Sequence, residues 1–291
     1  MSFNHQVSII GTGAVGGSLI RTLHKKGTFV SGLYNRTKSV ADELADEVDA
    51  EKTGVFPDSL EYLGELCFIC VPDDQIPEVA LKLSELKGIF RKVSFVHTSG
   101  AKPASVLKPL QEKGSEIASF HPLQTFGNPD LKNAFKGIYI SLQGDKNLLK
   151  ILQDVTELLK AKYLVVNEKQ KASLHLAAVF ACNYLVALME AARQSLNLDE
   201  PDIDVTEVMQ PLITSTWNNI RAKGVDESLT GPISRGDAGT IQEHLSILKK
   251  SPKLTNLYAH LGSVALEIGG RNGLDNEKIQ NIQKILEKAK Q

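Results

Sequence analysis

Cysteine is scarce in this 291-residue chain: Cys67, Cys70 and Cys182 are its only three. An odd number closes no disulfide framework, which points to a reducing compartment, the cytoplasm. Aromatic residues make up only 6%, so the core has to be built from aliphatic side chains. A surplus of one charge is also missing, with 33 Lys and Arg against 34 Asp and Glu. That balance offers no long-range attraction for a phosphate backbone, and no nucleic-acid partner is expected. The first apolar run, Val7–Ile10, is too short and has no basic flank, so no secretion signal is expected. Residues 174–192 form the longest apolar stretch, but His175, Asn183 and Glu190 interrupt it. It reads as a buried helix, and no membrane partner is expected. Cys67 and Cys70 form a CxxC, yet their odd separation on a strand points them to opposite faces. Neither a redox pair nor a metal site is expected.

What is present is an ordinary globular composition, 42% hydrophobic and 23% charged, at a length that suits two domains of roughly 100 to 200 residues. Up to about residue 167, short β-branched runs at 7–10, 29–34, 66–71, 93–97, 117–120, 138–142 and 163–166 alternate with helical patterns such as 14–26, 76–86 and 146–160. That alternation predicts an α/β domain with a doubly wound parallel sheet over residues 1–167. From 168 to 291 the pattern is helical throughout, with stretches at 170–196, 203–222, 238–249, 254–268 and 277–288. An all-α domain is expected there. Pro211 interrupts an apolar stripe through Val208, Leu212 and Trp217 and should bend its helix.

The sharpest local signal is GTGAVGG at 11–17, which follows the first strand directly and opens the first helix. Gly11 permits the tight turn, Gly13 has no Cβ to block a pyrophosphate, and Gly16 lets helix and strand pack closely. The helix N-terminus at Ala14 and Val15 faces the anion. Cofactor choice is read at the end of the second strand, where an acidic residue would accept hydrogen bonds from a ribose diol. Here stand Asn35, Arg36 and Thr37, donors suited to a 2′-phosphate. NADP(H) is therefore expected over NAD, the other reading being an exposed basic turn. Val71 and Pro72, after the third long strand, are placed along the cofactor's path.

Two further strand ends carry polar clusters, His97-Thr98-Ser99-Gly100 and His121-Pro122-Leu123-Gln124-Thr125-Phe126. Hydride transfer to a carbonyl or imine needs a proton donor near the developing charge, and imidazole suits that task near neutral pH. His121 is the leading candidate; the alternative is a histidine that closes the strand end through backbone hydrogen bonds. Ser99 is placed against nicotinamide or substrate, and His97 nearer to a structural role. On the long helix, Lys171, His175 and Asn183 share a broad face at helical pitch, where they either line a cleft or are satisfied within the core. Asp237 reads as a helix N-cap, and Arg235 either binds an anion or lies on the surface.

The glycine loop, NRT at 35–37, CVPD at 70–73, HPLQTF at 121–126 and TGPISRGD at 230–237 resemble the Rossmann-like proteins that carry a C-terminal helical domain of unknown function. The resemblance covers essentially the whole chain. Its first three features are shared with pyrroline-5-carboxylate reductase, ketopantoate reductase and the prephenate and β-hydroxyacid dehydrogenases. An HP motif with a catalytic histidine, as in prephenate dehydrogenases, implies that role for His121, although Gln124, Thr125 and Phe126 replace the glycine and acidic residues usual there. Asn183 resembles the helix asparagine of ketopantoate reductase and hydroxyacid dehydrogenases. The resemblance also implies a homodimer through the C-terminal helices. The expected function is an NADP-dependent oxidoreductase acting on a small anionic carbonyl, imine or hydroxyacid. Its rival is a non-catalytic NADP-binding sensor.

Overall fold

Short runs that are buried on both faces become the central strands, as parallel sheets covered by helices require. In the computed structural model, which describes residues 5–127, 133–196 and 204–290, eight strands form one sheet. They are β1 (Val7–Ile10), β2 (Val30–Tyr34), β3 (Lys52–Gly54), β4 (Leu66–Ile69), β5 (Ser94–His97), β6 (Ile117–Pro122), β7 (Tyr139–Gly144) and β8 (Lys162–Val165). Their order is β3-β2-β1-β4-β5-β6-β7-β8. Strands β1 to β6 are parallel, and the order reverses direction between β1 and β4.

Two features depart from the expected parallel sheet. Strand β7 runs antiparallel to β6. Among the described residues between Pro122 and Tyr139 there is no helix, and without a crossover element the chain can only turn back on itself. Strand β3 was not expected at all. Lys52, Thr53 and Gly54 have no strand pattern of their own and pair because Gly32, Leu33 and Tyr34 present an open edge.

Helices α1 (Ala14–His24), α2 (Lys38–Glu47), α3 (Ile76–Ser84), the short α4 (Lys108–Gln111) and α5 (Lys146–Leu158) connect the strands. Alternate strand residues feed two cores. Ile9, Leu33, Phe68 and Phe120 pack with Leu19 of α1 and Leu152 of α5. Ile10, Cys67, Ile69 and Phe95 pack with Ile76, Ala80 and Leu83 of α3 on the other side. Cys70 packs against the first core and Cys67 belongs to the second. Burial pushes both thiols up to about 12, so neither offers a thiolate near neutral pH.

The chain divides into two compact units, Met1–Phe180 and Ala181–Gln291. The first reaches past residue 167 because α6 (Glu168–Ala178) is tied to the sheet. A capping box between Asn167 and Gln170 starts this helix, and Lys171 donates from it to Ser99 O and Ser119 Oγ. A π-helical turn, Val179–Asn183, then leads into α7 (Tyr184–Leu196). The rest of the second unit is α8 (Val205–Lys223), α9 (Pro232–Arg235), α10 (Ala238–Leu248), α11 (Pro252–Arg271) and α12 (Asn276–Ala289). Ile203, taken as the start of a helix, lies outside the described residues. Helix α8 continues through Pro211. Ile233, Ile241, Leu266, Ile282 and Leu286 form the core of this unit.

The expectation of a buried helix over 174–192 is overturned. Phe180 is 63% exposed, Val186 72%, and α7 has no buried residue. By length and composition alone the stretch Glu168–Leu196 is apolar enough to cross a membrane.

Candidate active site

The glycine loop sits between β1 and β4, where the strand order reverses and open α/β sheets form their ligand crevice. Its three glycines differ in what surrounds them. Gly11 has φ +97°, and a Cβ there would lie 2.5 Å from Cys70 O. A Cβ on Gly16 would run into Gly11 O. Both are needed for the chain itself to turn and pack. Gly13 has nothing within 4 Å of its Cβ position, so its lack of a side chain leaves open space. It is also the N-cap of α1 and provides no side-chain cap, so the first-turn N–H groups remain available to an anion.

At the end of β2, Asn35 donates through Nδ2 to Thr12 Oγ1 at 2.6 Å, fastening the glycine loop to this strand. The Thr37 N–H donates to Asn35 Oδ1. Arg36 and Thr37 are exposed. Lys38 is engaged with Asp42 at 2.7 Å, which leaves Arg36 as the cation of this turn with no ion pair among the described residues.

A cleft of about 470 Å³ opens beside the loop. It is lined by Gly13, Ala14 and Val15, by Cys70, Val71, Pro72 and Asp73 after β4, and by Thr98, Ser99 and Gly100 after β5. His121, Pro122, Gln124 and Phe126 from the end of β6, and His175 from α6, complete it. Phe126 packs on the buried Phe135 at 5.4 Å between ring centroids, which anchors the HPLQTF segment to the core.

His121 and His175 meet edge to face with ring centroids 6.0 Å apart. A Cβ on Gly100 would lie 2.6 Å from His121 Nε2 and 2.7 Å from His175 Nδ1, so the bare glycine backbone is what lets both imidazoles converge. His175 Nδ1 is buried without a hydrogen-bond partner. Burial, the Lys171 charge and His175 together pull His121 down to about 4. It is therefore a neutral imidazole near pH 7 and stays so well below the ordinary histidine range.

His97 is fully buried, accepts from the Ser99 N–H through Nδ1, and pairs through Nε2 with Pro103 O at 3.1 Å. With Nδ1 accepting, Nε2 carries the proton and donates to the carbonyl. Its role is to hold the turn after β5. Ser99 shapes the same turn: its Oγ accepts from the Ala101 and Lys102 N–H groups. Its hydroxyl oxygen thus helps to build the turn, and Ser99 lines the cleft where it was expected to touch nicotinamide or substrate.

Asn183 lies in the second unit, is exposed, and is not among the residues lining the cleft. Its grouping with Lys171 and His175 assumed ideal helical pitch, and the π-helical turn at Val179–Asn183 breaks that phase. In the second unit, TGPISRGD is used for folding. Gly231 and Gly236 take positive φ, Ile233 enters the core, and Asp237 accepts from the Thr240 N–H as the cap of α10. Arg235 is exposed. Lys171 is the residue whose weight the sequence understated. Its i,i+4 spacing to His175 was visible, but nothing in the sequence shows that Ser119 and His121 lie opposite them.

A doubly wound sheet with its glycine loop at the switch point, joined to a helical unit, defines a Rossmann-type α/β protein. A Rossmann-like domain model matches residues 3–122, and the domain of unknown function DUF2520 matches residues 138–265. The chain carries both. Among curated proteins no sequence matches it. Among solved structures, protein BF3122 from Bacteroides fragilis, described as an NADP oxidoreductase, is 27% identical with a TM-score of 0.73, over 92% of this chain and 100% of that one. Protein TM1727 from Thermotoga maritima is 26% identical with a TM-score of 0.72, over 91% and 99%. A reductive aminase from Aspergillus terreus, solved with NADPH and ethyl-5-oxohexanoate, shares the fold at 16% identity and a TM-score of 0.62, over 98% and 93%.

Proposed function

We propose that this protein is an NADP-dependent oxidoreductase that moves a hydride to or from a small anionic carbonyl, imine or hydroxyacid. The observation that carries the reading is the open side of Gly13 at an uncapped helix N-terminus, in the same cleft as the His121–His175 pair. The residues fit the cofactor: the first turn of α1 offers free N–H groups, and Arg36 and Thr37 stand exposed where a carboxylate would repel a 2′-phosphate. When bound, NADP(H) supplies or accepts the hydride. His121, as a neutral imidazole, then takes the proton from a substrate hydroxyl or ammonium in the oxidative direction and returns it in reduction. The neighbour described as an NADP oxidoreductase supports this chemistry. The buried ammonium of Lys171, which has no ion-pair partner among the described residues, favours an anionic substrate.

NADPH is expected to bind at least about tenfold more tightly than NADH, roughly 1.4 kcal/mol, and Arg36→Ala should erase most of that preference. Calorimetric titration with both cofactors measures it, and equal affinities in the unmutated protein would overturn the NADP choice. A metabolite screen that follows NADPH absorbance separates turnover from a binding-only sensor.

The exposed apolar stripe of α7 and α8, with Val186 72%, Leu212 63% and Trp217 59% exposed, fits burial against a second copy better than a membrane, because the same helical stretch begins with Lys171 fixed in the sheet unit. The proposed assembly is a homodimer through the C-terminal helices. Light scattering should give twice the 31.8 kDa chain mass; a monomer at micromolar concentration contradicts it. The three cysteines are free, which suits a cytoplasmic location.

A further inference from the structure

Lys171 is the only Lys, Arg, Asp or Glu buried among the described residues, at 2% exposure. An ammonium taken out of water is costly unless it is hydrogen-bonded, and a methionine of similar length would fill the space without that cost. The chain nevertheless holds it there with two neutral acceptors, Ser99 O at 2.7 Å and Ser119 Oγ at 2.6 Å. These belong to two different segments that line or support the cleft. Ser99 lies in the turn after β5, and Ser119 lies two residues before His121 on β6.

The spacing is matched across the helix and the strand. Four residues along α6 advance about 6.0 Å, and two along β6 about 6.6 Å. Lys171 meets Ser119 while His175, one helical turn on, meets His121. The helix and strand thus present two rungs, one bearing a cation and one bearing two imidazoles.

We propose that Lys171 is the positioning residue of this cleft: its buried ammonium ties the turn after β5 to β6 through Ser99 O and Ser119 Oγ and so fixes His121, two residues beyond Ser119, beside a positive charge. The inference rests on reading this cleft as the active site. The charged and titratable groups around Lys171 are His97 from β5, His121 from β6, His175 on its own helix, and Asp73 from the turn after β4. Only Asp73 has the opposite sign, and it is exposed, so it does not cancel the charge. Burial brings Lys171 down to about 8 against the pull of Asp73, and its charge lowers both His97 and His121. The lysine is therefore charged through neutral pH and loses its proton as pH rises through about 8. Above that pH the restraint on His121 relaxes.

Nuclear magnetic resonance titration of the histidine rings and lysine ε-methylenes in the full chain tests this without cofactor or substrate. In the wild type, Lys171 is expected to titrate near pH 8 and His121 to stay neutral down to about pH 5. Lys171→Met should raise the His121 midpoint, by less than the full shift because burial is its larger cause, whereas Lys171→Arg, which keeps the charge, should hold it low. An unchanged His121 midpoint in folded Lys171→Met overturns the proposal, as does a wild-type Lys171 midpoint above 10. If Lys171→Met does not fold, Ser119→Ala decides: losing one acceptor of the charged form should lower the Lys171 midpoint, and no change overturns the proposal. NADPH titration of the same samples reports separately on the oxidoreductase reading, so the two can fail independently.

Discussion

His121→Asn is expected to lower turnover by roughly 10²- to 10⁴-fold while the fold and the affinity for NADPH remain. The imidazole lines the cleft at the end of β6 and is packed against His175 and the bare backbone of Gly100. An asparagine can occupy this space and make a hydrogen bond, but it cannot take up a proton. The pH dependence follows from the direction of the shift. His121 is lowered from 6.5 to about 4, so the neutral form persists in the folded protein across the window where an ordinary histidine would be charged. In the oxidative direction, where His121 acts as the base, turnover limited by this group should hold from neutral pH down to about 5 and fall only as pH approaches 4. Kinetics with a substrate found by the NADPH screen, run beside NADPH titrations of each variant, provide the measurement. Wild-type turnover in His121→Asn would remove it from the chemistry, and lost NADPH binding would recast it as a structural residue.

Gly13→Val is expected to weaken NADPH binding by about 100-fold or more, close to 2.7 kcal/mol, with little change in folding. No atom lies within 4 Å of a Cβ at this position, so the side chain meets no clash in the chain itself. As a poor N-cap it should cost at most about 1 kcal/mol. It would instead fill the cleft in front of the first-turn N–H groups of α1. Gly16→Ala is the contrasting variant, because its Cβ runs into Gly11 O and the damage falls on the fold. Calorimetry paired with thermal melts separates the two. Undiminished NADPH affinity in Gly13→Val would show that the glycine loop does not cradle the cofactor.

The central strands were legible in the sequence because β1, β2 and β4 are buried on both faces and have to be continuous apolar runs. The helices were legible for the corresponding reason, since a repeat of three to four residues follows from helical pitch. β3 was not: Lys52, Thr53 and Gly54 become a strand only because β2 offers them an open edge. The direction of β7 was equally hidden, because it depends on how the chain returns from β6 and not on the residues of β7.

The glycine loop and the residues after β2 could be read in one dimension, since their chemistry comes from neighbours in the chain and a conformation that glycine alone permits at Gly11. The histidine and lysine cluster could not. Ser99, Ser119, His121, Lys171 and His175 come from three segments, and their state depends on what surrounds them. Periodicity and local backbone geometry are enough to fix the α/β class, the helical second half and the position of the anion-binding turn. Only through-space packing makes Ser99 shape a turn, puts Asn183 in a π-helical turn, and holds His121 neutral by burial beside Lys171. Desolvation and charge act through space, and no spacing along the chain records them.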